Sequence, residues 1–183
     1  MKRVLMCTGL LFAATTLLAQ QPPAKKPPAS PPATAVAAVN GKSIAITYSS
    51  PRVKGREGKI FTSDGLISHD PHYPVWRAGA NAATTLITSS EVKIGDLHIP
   101  AGTYTLFVDI SDPAHWVLIV SKDTGEWGLS YDPTKDLGRT PMSMSKPPAM
   151  VEDLTYTLNA DNGRGVLTLS WEDMSASVIF TIH

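Results

Sequence analysis

The sequence has almost no cysteine. Among its 183 residues only Cys7 carries a thiol, and Cys7 lies in the apolar segment near the N-terminus. Removal of that segment as a leader would leave a chain without cysteine, which excludes disulfides and thiol chemistry. We therefore expect the hydrophobic core alone to stabilise the fold, and the remaining chain is long enough to bury one.

The sequence also lacks an excess of charge of either sign. It has 16 basic and 16 acidic residues, a formal net charge of +0 at pH 7. Loss of Lys2 and Arg3 with the leader leaves 14 basic against 16 acidic residues, a formal charge of −2. Proteins that bind nucleic acid or an anionic membrane surface rely on an excess of positive charge. This balance predicts no nucleic acid partner.

Residues 1–19 have the three parts of a signal peptide. Lys2 and Arg3 form a short cationic region, residues 4–18 form an apolar run, and Ala19 is a small residue at the expected cleavage position. The run is short for a transmembrane helix, which needs about 20 residues. We expect an exported protein, periplasmic or secreted, with no transmembrane anchor.

A proline-rich segment follows the leader. Residues 20–38 contain six prolines among alanines and two lysines, without an apolar period. Such a composition cannot form a core and favours extended polyproline geometry. We predict a Pro/Ala-rich disordered linker at residues 20–38 and a single domain at residues 39–183.

The domain shows no apolar stripe with the helical period of 3.6 residues. Apolar side chains instead recur at every second position, as in half-buried strands, and turn-forming residues separate the runs at intervals of roughly 8 to 12 residues. This pattern predicts an all-β fold, an antiparallel β-sandwich that is jelly-roll-like or related. The clearest alternating sets are Ile44, Ile46 and Tyr48; Tyr104, Leu106 and Val108; Leu154, Tyr156 and Leu158; and Leu167, Leu169 and Trp171.

Residues 115–121 are apolar on both faces. Trp116, Leu118 and Val120 share one face, whereas Val117 and Ile119 share the other. A strand with this composition is typically covered on both sides. We predict that it lies in the middle of the core.

Four segments in fixed order carry a resemblance to a known family. They are residues 48–56 (Tyr-Ser-Ser-Pro-Arg-Val-Lys-Gly-Arg), 75–85 (Val-Trp-Arg-Ala-Gly-Ala-Asn-Ala-Ala-Thr-Thr), 99–104 (Ile-Pro-Ala-Gly-Thr-Tyr) and 122–128 (Lys-Asp-Thr-Gly-Glu-Trp-Gly). In this series the chain resembles the exported bacterial proteins of domain of unknown function family 2911. The resemblance covers residues 43–183 and implies a β-rich exported protein, but the family has no established activity. The loop of residues 67–72 departs from the family pattern.

The segment around Arg77 is the strongest candidate for a binding site. Arg77 offers a planar set of donors, Gly79 lets the backbone turn or approach closely, and Asn81 can bond the backbone or a ligand. A carboxylate, a phosphate or a cluster of sugar hydroxyls fits such donors, and Lys122 would add charge. The alternative is that Arg77 is a structural strut bonded to backbone carbonyls or to an acid such as Asp109.

Aromatic residues give a second candidate feature. Trp116 is explained as core by its alternation, whereas Trp127 and Tyr131 lie near turn residues and are candidates for stacking on a carbohydrate ring. The alternative for both is that they pack a loop against the sheet.

Metal binding and catalysis have little support in the sequence. His69, Asp70 and His72 are close enough to share a metal, with His98 or His115 completing a site, but a loop rich in Asp, Pro and His is more often an exposed turn.

We expect no cofactor. We predict a binding or interaction module for a small polar or anionic ligand, a glycan or an envelope protein. The alternative is a small cell-envelope hydrolase or isomerase using Arg77 with His69, Asp70 or His72.

Overall fold

The computed structural model describes residues 27–125 and 127–183. Within them the chain forms thirteen β-strands and two short 3-10 turns, Ile67–His69 and Pro133–Lys135. The strands, numbered in chain order, are β1 (Pro32–Val39), β2 (Lys42–Ser49), β3 (Val75–Trp76), β4 (Thr84–Thr88), β5 (Val92–Ile94), β6 (Leu97–Ile99), β7 (Gly102–Asp109), β8 (Val117–Ser121), β9 (Asp136–Pro141), β10 (Ser143–Ser145), β11 (Val151–Asp161), β12 (Arg164–Glu172) and β13 (Met174–Ile182).

Two antiparallel sheets pack face to face. The first has the order β1-β2-β4-β7-β8-β9, with β3 also paired to β7. The second has the order β11-β12-β13-β5-β6, with β10 also paired to β13. Their inner faces enclose one cluster of buried apolar side chains. The prediction of an all-β antiparallel sandwich is confirmed.

The alternation read from the sequence corresponds to the inner faces. Ile44 and Ile46 of β2, Leu106 of β7, and Leu154 and Leu167 of the second sheet are fully buried in this cluster. Side chains two positions apart in a strand share a face, so each run contributes a row to the core. Burial of these rows is the main favourable term in the stability of the sandwich.

Strand β8 is covered on both sides, as its composition predicts. Leu118 and Val120 point into the core between the sheets, whereas Ile119 is fully buried but lies outside that cluster. Phe107 of β7, paired with Ile119, is buried on the same outer face. The first sheet therefore has a small second apolar layer behind it, and β8 lies next to the edge strand β9.

Two residues with left-handed backbone form the turn of the β11–β12 hairpin. Asn162 and Gly163 have φ of 50° and 83°, the left-handed conformation that a type I′ turn requires at both central positions. The turn between β12 and β13 is equally short, and Glu172 adopts φ of 55° there.

The domain begins earlier than residue 39. β1 pairs with β2 along its whole length, from Pro32 opposite Ser49 to Val39 opposite Lys42. Ala35 and Ala37 of β1 are buried. Residues 32–38 therefore belong to the first sheet and not to a disordered linker, because the small alternating residues fit an edge strand despite the neighbouring prolines.

Two predictions concern the N-terminal part of the chain, before residue 27. The signal peptide at residues 1–19 and the linker at residues 20–26 lie outside the described residues. In the part of the chain that the structure covers, no helix has the length and apolar character needed to span a membrane.

Candidate functional site

The Arg77 segment leaves the first sheet as an excursion between two collinear strands. β3 and β4 both pair with the side of β7 that faces away from β8, Trp76 opposite Val108 and Thr84 opposite Leu106. Only Phe107 separates these two partners on β7, whereas seven residues, 77–83, connect the two strands. The 77–83 excursion must therefore project from the sheet.

The carbonyl oxygen of Ala78 anchors the excursion to the core. It accepts hydrogen bonds from the Tyr156 hydroxyl at 3.0 Å and the Thr84 hydroxyl at 3.2 Å. The Ala80 N–H donates to the Ser49 carbonyl at 3.1 Å. Ala78 holds φ of 48°, which costs energy for a residue with a Cβ and persists only when surrounding contacts enforce it.

Gly79 is needed for close approach and not for a left-handed turn. A Cβ at this position would lie 2.7 Å from the Thr84 hydroxyl oxygen. The left-handed conformations belong instead to Ala78 and to Asn81, whose φ is 59°. Asn tolerates that conformation better than most residues, so Asn81 shapes the backbone of the excursion.

A second segment, residues 52–56, forms a basic turn beside the excursion. Lys54 and Gly55 have φ of 50° and 70°, and the Arg56 N–H donates to the Val53 carbonyl at 3.2 Å. The Val53 and Lys54 N–H groups bond Glu152, and Arg52 Nε lies 2.7 Å from Asp153 Oδ1. The start of β11 thus fixes the position of the basic turn.

A cavity of about 460 Å³ opens between the basic turn, the 77–83 excursion and the loop around residues 65–71. Its apolar lining includes Leu66, Ile67, Leu129, Trp76 and Trp171, and the two tryptophan rings stack with centroids 6.0 Å apart. Four cations and one carboxylate contribute to the charged part of the lining, together with one histidine. These residues are Arg52, Lys54, Arg56, Arg77, Asp70 and His69. We call this site the basic cavity.

Arg77 is partly open to the basic cavity. Its Nε lies 3.9 Å from Asp70 Oδ2, too far for a hydrogen bond, and the side chains are 22% and 5% exposed. Arg77 Nε is buried and has no hydrogen-bond partner among the described residues. Asp109, considered above as a partner for Arg77, lies 3.8 Å from Arg139 instead.

The histidines of the loop do not converge on a metal. His69 Nδ1 lies 2.8 Å from the Gly65 carbonyl, and Asp70 Oδ1 accepts from the His72 N–H at 3.1 Å. His98 and His115 lie against Glu91 and Asp112. In residues 27–125 and 127–183 no group of three or more His, Cys, Asp or Glu side chains is placed to hold a metal ion.

The bond to Gly65 places a proton on Nδ1 of His69. A carbonyl oxygen only accepts, so Nδ1 must carry the proton. In the neutral ring Nε2 is then an unprotonated acceptor. In that neutral form His69 has one acceptor, Nε2, and it lines a cavity that is otherwise rich in donors.

Four residues predicted for the site lie outside the lining of the basic cavity. Asn81 is exposed on the excursion, and Lys122 is exposed just after β8. Trp127 is 58% exposed and forms a β-bridge with Ala82. Tyr131 lies behind the first sheet. The structure thus brings together Arg77 and Gly79 but not the full predicted set.

Tyr131 belongs to a polar network behind the first sheet. Its hydroxyl donates to Asp136 Oδ2 at 3.0 Å and accepts from Arg139 Nη2 at 2.6 Å, and its ring packs on Phe107 with centroids 4.8 Å apart. Burial, reinforced by the Asp136 carboxylate, raises the pKa of Tyr131 to about 12. These contacts match the alternative in which the aromatic ring packs a loop against the sheet.

The basic turn was not predicted as part of the site. Arg52, Lys54 and Arg56 lie in residues 48–56, which contributed to the family resemblance and not to the predicted set of ligand residues. The available signal was the occurrence of three cations at alternate positions around one buried valine. Spacing alone does not reveal that this turn lies beside residue 77.

Comparison with known proteins gives a family but no activity. No curated protein and no solved structure matches the chain. The family described as "Protein of unknown function (DUF2911)" matches residues 30–180, which includes all the strands except the last two residues of β13. This range is most of the chain and contains the basic turn, the 77–83 excursion and the loop around residues 65–71, which surround the basic cavity. The chain therefore belongs to the DUF2911 family.

Proposed function

We propose that the protein binds a small anionic ligand in the basic cavity. The observation that carries the proposal is Arg77 Nε, a buried donor without a hydrogen-bond partner among the described residues. A buried donor left unpaired costs free energy, and a ligand oxygen that accepts from it recovers that cost. The proposal thus assigns to Arg77 the central contact.

The local electrostatics support an anion. The whole chain has a formal net charge of +0, yet the lining of this one cavity has four cations against a single carboxylate. Clefts with one dominant sign of charge attract ligands of the opposite sign and raise their association rates. In the described part of the chain the side-chain cations of Lys54 and Arg56 form no ion pair within 4 Å, so their charge is available to a ligand.

The size and lining of the cavity support a small molecule. A volume of about 460 Å³ lies within the usual range for ligand pockets, which is roughly 300–1,000 Å³. Apolar side chains beside a few polar groups are also typical of such sites. A glycan or an envelope protein that presents an acidic group can enter by the same contacts.

The test is a thermal-shift screen of the purified protein against organic acids, phosphates, neutral glycans and divalent metals. A ligand present at 100 times its Kd stabilises the native state by about 2.7 kcal/mol, which raises the Tm of a domain of this size by roughly 5–10 °C. We expect this shift with an anion and its loss in Arg77→Ala. Arg164→Ala, which removes an exposed cation at the start of β12, should retain the shift.

Two results would contradict the proposal. One is a screen in which no anion changes the Tm of the parent protein. The other is an anion shift that survives in Arg77→Ala. If Arg77→Ala unfolds, Arg77→Lys keeps a charge at the site and shows whether the guanidinium is needed for binding or only for folding.

A second candidate function is an acid–base enzyme, a hydrolase or isomerase. The observation in its favour is that His69, with an unprotonated Nε2 in its neutral ring, lines the same cavity as Arg77. NMR spectra of a bound ligand, followed over hours with catalytic amounts of protein, test for turnover. An enzyme should convert the ligand, and His69→Gln should slow conversion by about 100-fold while binding remains.

A further inference from the structure

The distance between Arg77 and Asp70 defines a narrow site within the basic cavity. Arg77 Nε and Asp70 Oδ2 are opposite charges in a poorly exposed setting, yet they remain 3.9 Å apart. A direct charge-assisted hydrogen bond would bring such atoms to about 2.7–2.9 Å. Both atoms therefore keep hydrogen-bonding capacity toward a third group.

Contacts on each side hold these two side chains in place. Asp70 Oδ1 accepts from the His72 N–H at 3.1 Å, which fixes the carboxylate. On the other side, the Arg77 stem passes so close to Gly128 that a Cβ there would lie 2.7 Å from Arg77 Cδ. The separation is thus part of the local packing.

A hydroxyl group satisfies both atoms at once. It donates its proton to Asp70 Oδ2 and accepts from the Arg77 Nε–H. A carboxylate in the same place would be repelled by Asp70, and an ammonium would be repelled by Arg77. The pair therefore favours a ligand hydroxyl over either charged group.

The remainder of the cavity favours a negative charge at another position on the ligand. Lys54 and Arg56 project from the basic turn, and Arg56 already uses Nε for the Val53 carbonyl at 2.9 Å, which orients its guanidinium. Planar guanidinium groups and lysine ammonium groups both bind carboxylates and phosphates. Between the two polar regions, Trp76 and Trp171 offer apolar surface to a carbon skeleton.

We propose that the ligand is a hydroxylated anion of about the size of a monosaccharide, such as a sugar acid or a sugar phosphate. One ligand hydroxyl lies between Arg77 Nε and Asp70 Oδ2, and the acidic group binds Lys54 and Arg56. This inference rests on the proposed function, since it specifies the chemistry of an anion bound in the same cavity.

The test compares four probes on the unmodified full chain by isothermal titration calorimetry. Glucuronate and glucose 6-phosphate carry hydroxyls and an anion, cyclohexanecarboxylate has only the anion, and glucose has only the hydroxyls. We expect one of the first two probes to bind at least about tenfold more tightly than both of the last two, because hydrogen bonds to charged groups are lost in each. Which of the two binds distinguishes a carboxylate from a phosphate.

Two variants separate the two contacts. Asp70→Asn keeps an acceptor for the His72 N–H but removes the charged acceptor for the hydrogen bond from the ligand hydroxyl. We expect about tenfold weaker binding of the hydroxylated probe and no loss for cyclohexanecarboxylate. Lys54→Ala should weaken the two anions that carry hydroxyls, whereas Lys42→Ala, an exposed residue at the start of β2, should not. Circular dichroism verifies that each variant is folded.

The possible failures are distinguishable. If cyclohexanecarboxylate binds as tightly as the hydroxylated anions, the inference is overturned and the proposed function stands. If glucose binds as tightly as glucuronate and glucose 6-phosphate, the assigned anion contact is overturned. If no anion binds at millimolar concentration, both the inference and the proposed function fail. The probe comparison needs no variant, so an unfolded Asp70→Asn does not prevent a decision.

Discussion

Gly128 lies against the side chain of Arg77, and its lack of a Cβ makes room for the guanidinium stem. A Cβ at residue 128 would meet Arg77 Cδ at 2.7 Å and the Asn81 carbonyl oxygen at 2.6 Å. Trp127 pairs with Ala82, so the segment containing Gly128 is attached to the excursion that carries Arg77. The position of the arginine in the basic cavity thus depends on a residue about fifty positions away in the sequence.

We predict that Gly128→Ala disturbs the basic cavity. The Asn81 carbonyl is backbone and cannot move as freely as a flexible side chain, so relief of the clash must shift the excursion. Overpacking of this kind typically costs 1–3 kcal/mol, about 2–12 °C in Tm for a domain of this size. Thermal unfolding checks the stability, and calorimetry with an anion identified in the screen checks the expected loss of affinity.

A matched control for Gly128→Ala is Ser130→Ala. Residue 130 is exposed and already has a Cβ, and it lies in the same loop. It should leave both the Tm and the affinity unchanged. Equal effects of the two substitutions would indicate that the loop as a whole, and not the contact with Arg77, is sensitive.

The hydroxyl of Tyr156 gives a second prediction. It donates to the Ala78 carbonyl at 3.0 Å from within the core. Tyr156→Phe keeps the ring but removes this bond, and we expect a loss of about 0.5–1.5 kcal/mol in the free energy of unfolding. The excursion should loosen more than the core, so amide hydrogen exchange at Ala80 should accelerate more than exchange at Leu118. Equal acceleration at both sites would contradict a local role for this bond.

The sequence predicted the sandwich because strand periodicity reports directly on burial. Ala45 separates Ile44 from Ile46, and Thr168 separates Leu167 from Leu169. The four larger side chains are all buried in the core. β1 escaped prediction for a physical reason. Its inward residues Ala35 and Ala37 are small, and their pattern is weak beside several prolines, although the partner strand β2 determines their pairing.

The candidate site was only partly predictable because it is assembled from distant segments. Arg77 and Gly79 were identified from their local chemistry, and both line the basic cavity. Tyr131 was grouped with them, although β7 and its neighbours place that ring behind the sheet. Arg52 and Arg56 reach the site because Val53 pairs with Glu152, a contact over about 100 positions that no local pattern encodes.

The Tyr131 network gives a third prediction, on alkaline stability. Burial raises the pKa of Tyr131 from 10.0 to about 12. A group whose pKa is higher in the folded state contributes stability below its unfolded pKa, and that contribution is lost as the pH rises through the folded pKa. The parent protein should therefore lose free energy of unfolding between about pH 10 and 12 more steeply than Tyr131→Phe.

The same substitution should be destabilising at neutral pH. Tyr131→Phe removes the bonds to Asp136 and Arg139, which costs about 1 kcal/mol, while the contact of Arg139 Nη2 with Asp136 at 2.9 Å remains. Denaturant unfolding at pH 7 and pH 11 measures both effects. A difference between parent and variant that is independent of pH would contradict the raised pKa.

The fourth prediction concerns Glu172. Unlike the substitutions above, which destabilise the protein, removal of the Glu172 charge should stabilise it. Its carboxylate is buried at the turn between β12 and β13 and accepts from the Gly58 N–H. Burial raises the pKa of Glu172 above 4.5, the nearby Asp173 and Glu57 raise it further, and the bond from Gly58 opposes the shift. The folded protein thus holds the Glu172 proton more tightly than the unfolded chain does.

The sign of the pH dependence follows from this shift. The stabilising contribution of the raised pKa is fully present below about pH 4.5 and is lost as the pH rises through the folded value. At neutral pH the ionised carboxylate is therefore a net cost. Glu172→Gln keeps an acceptor for the Gly58 N–H without the charge, so it should raise the Tm by a few degrees at pH 7–8, and the gain should vanish near pH 4.

Asp96→Asn, which removes an equal charge from a side chain that is 99% exposed, should show no comparable gain. A lower Tm for Glu172→Gln at pH 7 would mean that the ionised carboxylate stabilises the turn through Gly58 more than its burial costs.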